Sequence, residues 1–206
     1  MKTVEEWIAH WNGKTGITDP VELNGYCVAG KPIPYDTYRR AVIEPCLARL
    51  ELEPHHHVLD IGCGSGLMLA EMAGHVTRCV GVDPSVAMIE RYTGPAETYV
   101  AAADSLPFEP GSFDRVLMVG VALYFPSDAY FAAVLRNVLD LLRRDGIFLA
   151  SDLLLGQPIP SSQYRYYDRD FLSALLDSLD HPYSIVVQNK LKRSINRRYD
   201  IIIYKD

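Results

Sequence analysis

The sequence has no excess of positive charge, no cysteine framework and no long apolar run, and each shortage removes a class of function. Twenty lysines and arginines stand against 26 aspartates and glutamates, a formal net charge of −6. Such a balance suits neither nucleic acid nor an anionic membrane surface, which call for a basic face. Lys190, Lys192, Arg193, Arg197 and Arg198 do cluster near the C-terminus; they read as the solvated end of a hairpin. The four cysteines, Cys27, Cys46, Cys63 and Cys79, fall in no CxxC or zinc-ligand spacing. That pattern argues against a disulfide scaffold or structural zinc and predicts a reduced, cytoplasmic chain. No apolar run approaches the roughly 18 residues of a membrane helix. The first residues, with Glu5 and Glu6, lack the apolar core expected of a secretory signal. His55, His56 and His57 are adjacent and precede a strand, where neighbours point to opposite faces; a polar loop is expected rather than a metal site.

What is present is an ordinary globular composition, 49% hydrophobic and 22% charged over 206 residues. One domain with a sizeable core is the expectation. Residues 1–50 should form a helical cap, 51–155 a ligand-binding core, and 156–206 a loop, a helix and a terminal hairpin. In the cap, Thr3–Trp11 reads as a short helix with Trp7 and Trp11 on one face. A Gly/Pro-rich loop runs from Gly13 to Pro34. Tyr35–Leu50 reads as an amphipathic helix that Pro45 kinks or divides.

From His57 the pattern alternates. Strands are expected at His57–Ile61, Arg78–Val82, Thr98–Ala102, Phe113–Val119 and Gly146–Leu153. Helices are expected at Leu67–Gly74, Ser85–Tyr92 and Ser127–Leu142. Such alternation predicts parallel βαβ units in an open sheet covered on both faces, an α/β Rossmann-like three-layer sandwich. In the tail, a helix at Asp168–Leu179 precedes two strands, Tyr183–Leu191 and Tyr199–Tyr204. Their connection, Lys192–Arg198, is too short for a crossover helix, so they should pair antiparallel.

The strongest chemical signal is Val58-Leu59-Asp60-Ile61-Gly62-Cys63-Gly64-Ser65-Gly66. A strand ends, alternate glycines turn the chain tightly, and a helix begins with its free N–H groups. The spacing is GxGxG rather than the GxGxxG of dinucleotide sites. Asp60, ahead of the first glycine, suits a cationic ligand group better than a pyrophosphate. Val82-Asp83-Pro84-Ser85 ends the second strand, about 20 residues on, where an acid can hold two ribose hydroxyls. Asp104-Ser105-Leu106-Pro107-Phe108 follows the third strand, and Ser112-Phe113-Asp114-Arg115-Val116 opens the fourth.

Four motifs in this order, from Val58 to Leu153, resemble the class I S-adenosylmethionine-dependent methyltransferases. The resemblance implies a seven-stranded sheet whose last strand is antiparallel. It assigns Asp60 and the Gly62–Gly66 turn, with Cys63 and Gly64, to the methionine part of the cofactor. It assigns Asp83 and Pro84 to the ribose, Met88 to one adenine face, Asp104 and Ser105 to the adenine amino group, and Val119 and Gly120 to the wall near the reacting methyl. Ser85 is expected to cap a helix.

No histidine is placed to act as a base, since His75, His55–His57 and His181 all fall away from the ligand edge. That leaves Tyr124 and Asp152 as catalytic candidates. Two aromatic, arginine-rich segments should form the acceptor pocket: Tyr26, Tyr35, Tyr38 and Arg39 in one, Tyr164, Arg165 and Tyr166 in the other. They point to a polar or anionic small-molecule acceptor. The motifs of DNA-amino, cytosine-C5 and metal-dependent catechol enzymes are missing, so no metal, nucleic acid or membrane partner is expected, and the chain should be a monomer or homodimer. A non-catalytic S-adenosylmethionine sensor or scaffold is the main alternative. A nicotinamide-dependent oxidoreductase is disfavoured by the GxGxG spacing.

Overall fold

The computed structural model describes residues 2–28, 30–158, 162–188 and 198–206. Ahead of the main sheet lie α1 (Val4–Asn12), α2 (Pro20–Leu23), a two-stranded ribbon of β1 (Cys27–Val28) and β2 (Lys31–Pro32), α3 (Tyr35–Tyr38) and α4 (Glu44–Leu50). The core then runs β3 (His57–Ile61), α5 (Leu69–Met72), β4 (Arg78–Asp83), α6 (Val86–Ile89), β5 (Glu97–Val100), β6 (Phe113–Val119), α7 (Asp128–Leu141) and β7 (Leu142–Leu154). It closes with α8 (Arg169–Asp177), β8 (Tyr183–Gln188) and β9 (Arg198–Tyr204).

The seven strands are ordered β5-β4-β3-β6-β7-β9-β8. β3 to β7 are parallel, and β9 is antiparallel to both of its neighbours. This is the expected mostly parallel sheet with an antiparallel terminal hairpin. Strand alternation divides the core between two faces. Leu59 and Ile61 of β3 join one apolar cluster, with α7 and α8, while Val58 joins the other, with α4 and α5. Strand order reverses between β3 and β6, so a crevice opens beyond the carboxyl ends of those strands.

Helix boundaries differ from expectation where local chemistry intervenes. The expected helix at Tyr35–Leu50 is continuous, but its middle, Arg39–Ile43, is a π-turn. Pro45 has no N–H to give to the carbonyl four residues back; the chain loosens there instead, with Glu44 N–H bonding to Arg39. α5 and α6 are single turns, shorter than expected, because the glycine loop and the Thr93–Ala96 turn consume their ends. Ser85, Ser127 and Asp168 are the N-caps of α6, α7 and α8, their side-chain oxygens accepting from backbone N–H groups. The buried Arg115 donates from Nε to the carbonyl of Leu50 at 2.5 Å, closing the C-terminus of α4. Among the described residues, no helix is long and apolar enough to cross a membrane. The basic residues Lys190, Lys192, Arg193 and Arg197, and the expected strand end at Leu191, lie outside the described residues.

Candidate active site

The glycine turn after β3 builds the floor of the site. Gly62, Gly64 and Gly66 all hold positive φ (71°, 57° and 91°), and each is crowded on the side where a Cβ would stand. At Gly64 that atom would lie 2.0 Å from Asn24 Oδ1, and at Gly62 2.3 Å from a Val121 methyl. The turn therefore needs glycine for both conformation and space. Asp83, at the end of β4, pins it: Oδ2 accepts from Gly64 N–H at 2.9 Å and Oδ1 from Ser85 N–H at 2.8 Å. Asn24 clamps it from above, accepting from Ser65 N–H at 3.2 Å and donating to Ser65 Oγ at 2.6 Å.

A cavity with about 840 Å³ of empty space opens to solvent over this floor. Gly62, Gly64, Asp83, Pro84, Met88, Val119 and Gly120 line it, as expected from sequence. So do Tyr26 and Tyr124. Residues that sequence reasoning missed help complete the wall: Trp7, Ile8 and Trp11 of α1, Ala101–Ala103, and Tyr130. The clue available for α1 was its two tryptophans on one helical face. Asn12 Oδ1 ties this helix to the start of α6, accepting from Ser85 Oγ at 2.7 Å and Ala87 N–H at 3.3 Å.

Asp60 is buried and does not itself line the cavity, and its Oδ2 has no hydrogen-bond partner among the described residues. Burial first, and then the neighbouring Asp83 carboxylate, push its pKa well above the usual carboxylate range. Burial also raises Asp83, although its two N–H bonds pull the other way. Two carboxyl groups thus converge on one glycine turn, and a cation there would relieve both.

Other expected site residues stand elsewhere. Asp104 and Ser105 are exposed and outside the lining, which the three preceding alanines occupy instead. Asp104 bonds the Tyr130 hydroxyl at the rim. Cys63 turns down against Gly81 of β4, and Gly66 makes room for the Tyr92 ring. Asp152 lies behind the wall, its Oδ2 near the Gly120 Cα and 3.5 Å from Arg198. It holds φ 71° at a β-bulge of β7, and its N–H bonds to Asp200 at 3.2 Å. Burial lifts the Tyr124 hydroxyl far above its ordinary pKa, so it remains protonated.

The two aromatic segments depart furthest from expectation, since Tyr26 alone of their seven named residues lines the cavity. Tyr38 is buried against Tyr26, ring centroids 4.4 Å apart. Tyr35 donates to Glu71 at 2.6 Å, and Arg39 pairs with Glu44 and Glu71. Arg165 is spent on the carbonyls of Phe125 and Pro126 and on Asp128. Tyr164 is largely exposed and stacks on Trp7 from outside the lining, and Tyr166 also lies outside it. Their arginines neutralise local acids and carbonyls rather than facing a ligand. Glu53, His55 and His56 form the one group of possible metal ligands among the described residues; it precedes β3, at the opposite end of the sheet from the cavity.

Comparison with known proteins points to the kind of domain. A model of the methyltransferase domain family matches residues 58–146. Over those residues the chain is similar to methyltransferase domains. The uncharacterized methyltransferase YcgJ of Bacillus subtilis is 34% identical over 110 residues, covering 50% of this chain and 42% of YcgJ. The uncharacterized methyltransferase sll0829 of Synechocystis is 34% identical over 110 residues, 52% of this chain and 51% of that protein. The chain thus spans about half the length of the curated relatives it matches. The crystal structure of YcgJ superposes with a TM-score of 0.65 at 18% identity, over 79% of this chain and 97% of that one. The methyltransferase fold is shared; the acceptor is not named by these likenesses.

Proposed function

We propose that the chain transfers the methyl group of S-adenosylmethionine to oxygen or nitrogen of a small molecule. The observation that carries this reading is the glycine turn pinned by Asp83, with the buried Asp60 beside it, whose Oδ2 has no hydrogen-bond partner among the described residues. Such a pair calls for a ligand bearing an ammonium or sulfonium charge and ribose hydroxyls. Asp60 would offset the cofactor's positive charge, and each oxygen of Asp83 keeps a lone pair for a ribose hydroxyl. Met88 and Ala101–Ala103, in the cavity lining, would offer adenine an apolar wall. The bound cofactor supplies an already activated methyl group.

The protein's own work is then to hold an acceptor in line and to exclude water. Positioning of this kind can supply about 7–11 kcal/mol. Tyr124, protonated and in the cavity wall, can donate a hydrogen bond but cannot take a proton. The reaction therefore suits an acceptor with a free lone pair. A concave site walled on one side by α1 fits a small molecule better than a folded macromolecule.

Incubation with methyl-labelled S-adenosylmethionine and a fractionated cell extract tests the reading. Label in the small-molecule fraction is expected; label in RNA or protein contradicts the acceptor class. Tight cofactor binding without transfer to any fraction supports the sensor alternative.

A further inference from the structure

The cavity wall that rises from α1 and from the segment after β6 is aromatic, and this gives the acceptor a chemistry. Trp7 and Trp11, the chain's two tryptophans, both line the cavity. Tyr124 meets Trp7 at 4.6 Å and Trp11 at 5.6 Å between ring centroids, edge to face in both pairs. Tyr26 and Phe125 extend the same wall. The rings are held rather than loose. Tyr164 stacks on Trp7 with an interplanar angle of 7°, and the Trp11 ring abuts Gly25, where a Cβ would lie 3.1 Å away.

Two further contacts set the charge of the guest. The ammonium of Lys2 lies 4.4 Å from the Trp7 ring centroid and that of Lys14 4.0 Å from the Trp11 centroid. Neither lysine lines the cavity. Each indole already has a cation on one π face, which drains the negative potential that would draw a second cation to it. What the polarised rings still favour is offset or edge-to-face contact with another ring. A carboxylate or phosphate finds no cationic side chain among the lining residues described, and it would meet Asp83 there.

Resting on the methyltransferase reading, we propose that the acceptor is an uncharged planar aromatic molecule, held against Trp7, Trp11 and Tyr124. A lone pair on its ring or ring-borne nitrogen or oxygen would form the new bond to the methyl carbon as that carbon's bond to sulfur breaks. S-adenosylhomocysteine would leave, and any N–H or O–H proton of the acceptor would pass to solvent water. A heteroaromatic nitrogen has a free lone pair, which agrees with a wall that offers no base. This replaces the polar or anionic acceptor that the arginine-rich segments implied, since Arg39 and Arg165 are engaged elsewhere.

Calorimetry on the full chain tests this with S-adenosylhomocysteine held at saturation. The probes are isoquinoline and 1-naphthol (neutral aromatics), phenyltrimethylammonium (an aromatic cation), and ethanolamine and glycerol 3-phosphate (aliphatic). Isoquinoline or 1-naphthol should bind at least about tenfold more tightly than the other three. Trp7→Ala should weaken the aromatic probe by about tenfold or more, the loss expected of one anchoring ring, while S-adenosylhomocysteine affinity stays within about twofold. Trp7→Phe should restore most of the probe affinity. Preference for an aliphatic or cationic probe, or binding of none, overturns the proposal. So does a Trp7→Ala variant that loses cofactor and probe affinity together, because Trp7 would then be a cofactor wall. Failure of S-adenosylhomocysteine to bind the unaltered chain is a different result, and it removes the methyltransferase reading itself.

Discussion

At the scale of single residues, the glycine turn makes the sharpest demands. A Cβ at position 64 would stand 2.0 Å from Asn24 Oδ1 in a backbone of φ 57°. Gly64→Ala should therefore cost about 1–2 kcal/mol in conformation alone, read as a lower melting temperature. Asn24→Ala in the same chain should relieve the clash but not the conformational cost. Asp60 gives a pH signature. Its pKa in the folded chain is raised by burial and by Asp83, so the folded state keeps a proton that the unfolded state has lost above about pH 4. Stability of the ligand-free protein should then fall as pH rises from about 4 toward the folded-state pKa. Asp60→Asn removes that dependence. Urea titrations should show the variant gaining on the unaltered chain between about pH 4.5 and pH 7.5; parallel curves would mean that Asp60 is not raised. The acids beside the glycines were legible in the sequence because a strand end and a turn fix where they sit. Asp104 was not. The turn after β5 places the alanines before it in the wall and turns Asp104 outward, and no periodicity marks that turn.

At the scale of elements, strands were read to within a few residues, because buried parallel strands are short apolar runs bounded by turns. The capped helices α7 and α8 were read nearly as well, since Ser127 and Asp168 announce their starts. α5 and α6 were overextended, because an apolar stretch does not reveal that neighbouring loops need its ends. A helical cap was expected, but not that α1 would line the cavity. α1 is seated at the cavity in part through contacts across more than 70 positions of sequence, such as Asn12 with Ser85, and one-dimensional spacing carries no trace of them. Asn12→Ala should loosen this helix without unfolding the domain. Hydrogen exchange across residues 4–12 should quicken, while β3 and β6 stay protected. Equal protection in the variant would show that the aromatic contacts alone seat the helix.

At the scale of the molecule, the terminal hairpin joins the cap to the sheet through one buried carboxylate. Asp200, with no exposed surface, accepts from Ser151 Oγ at 2.7 Å, from Asp152 N–H, from the Gln188 amide and from the Arg49 guanidinium. Burial beside this group pushes the Cys46 thiol up to about 12, so that cysteine is inert packing rather than a nucleophile. Asp200→Ala strands Arg49 and several donors at once, and a loss of about 3 kcal/mol in urea unfolding is expected. A loss below about 1 kcal/mol would show that the network contributes little.

All of these roles serve one claim, that the crevice between β3 and β6 is a site for S-adenosylmethionine. Calorimetric titration with S-adenosylmethionine, S-adenosylhomocysteine and NAD, repeated on Asp83→Ala, tests it most directly. The account predicts binding of the first two and not of NAD, with affinity reduced at least about tenfold in the variant, the cost of one lost charge-assisted hydrogen bond. Binding of NAD alone, or S-adenosylhomocysteine affinity unaffected by the loss of Asp83, would contradict it.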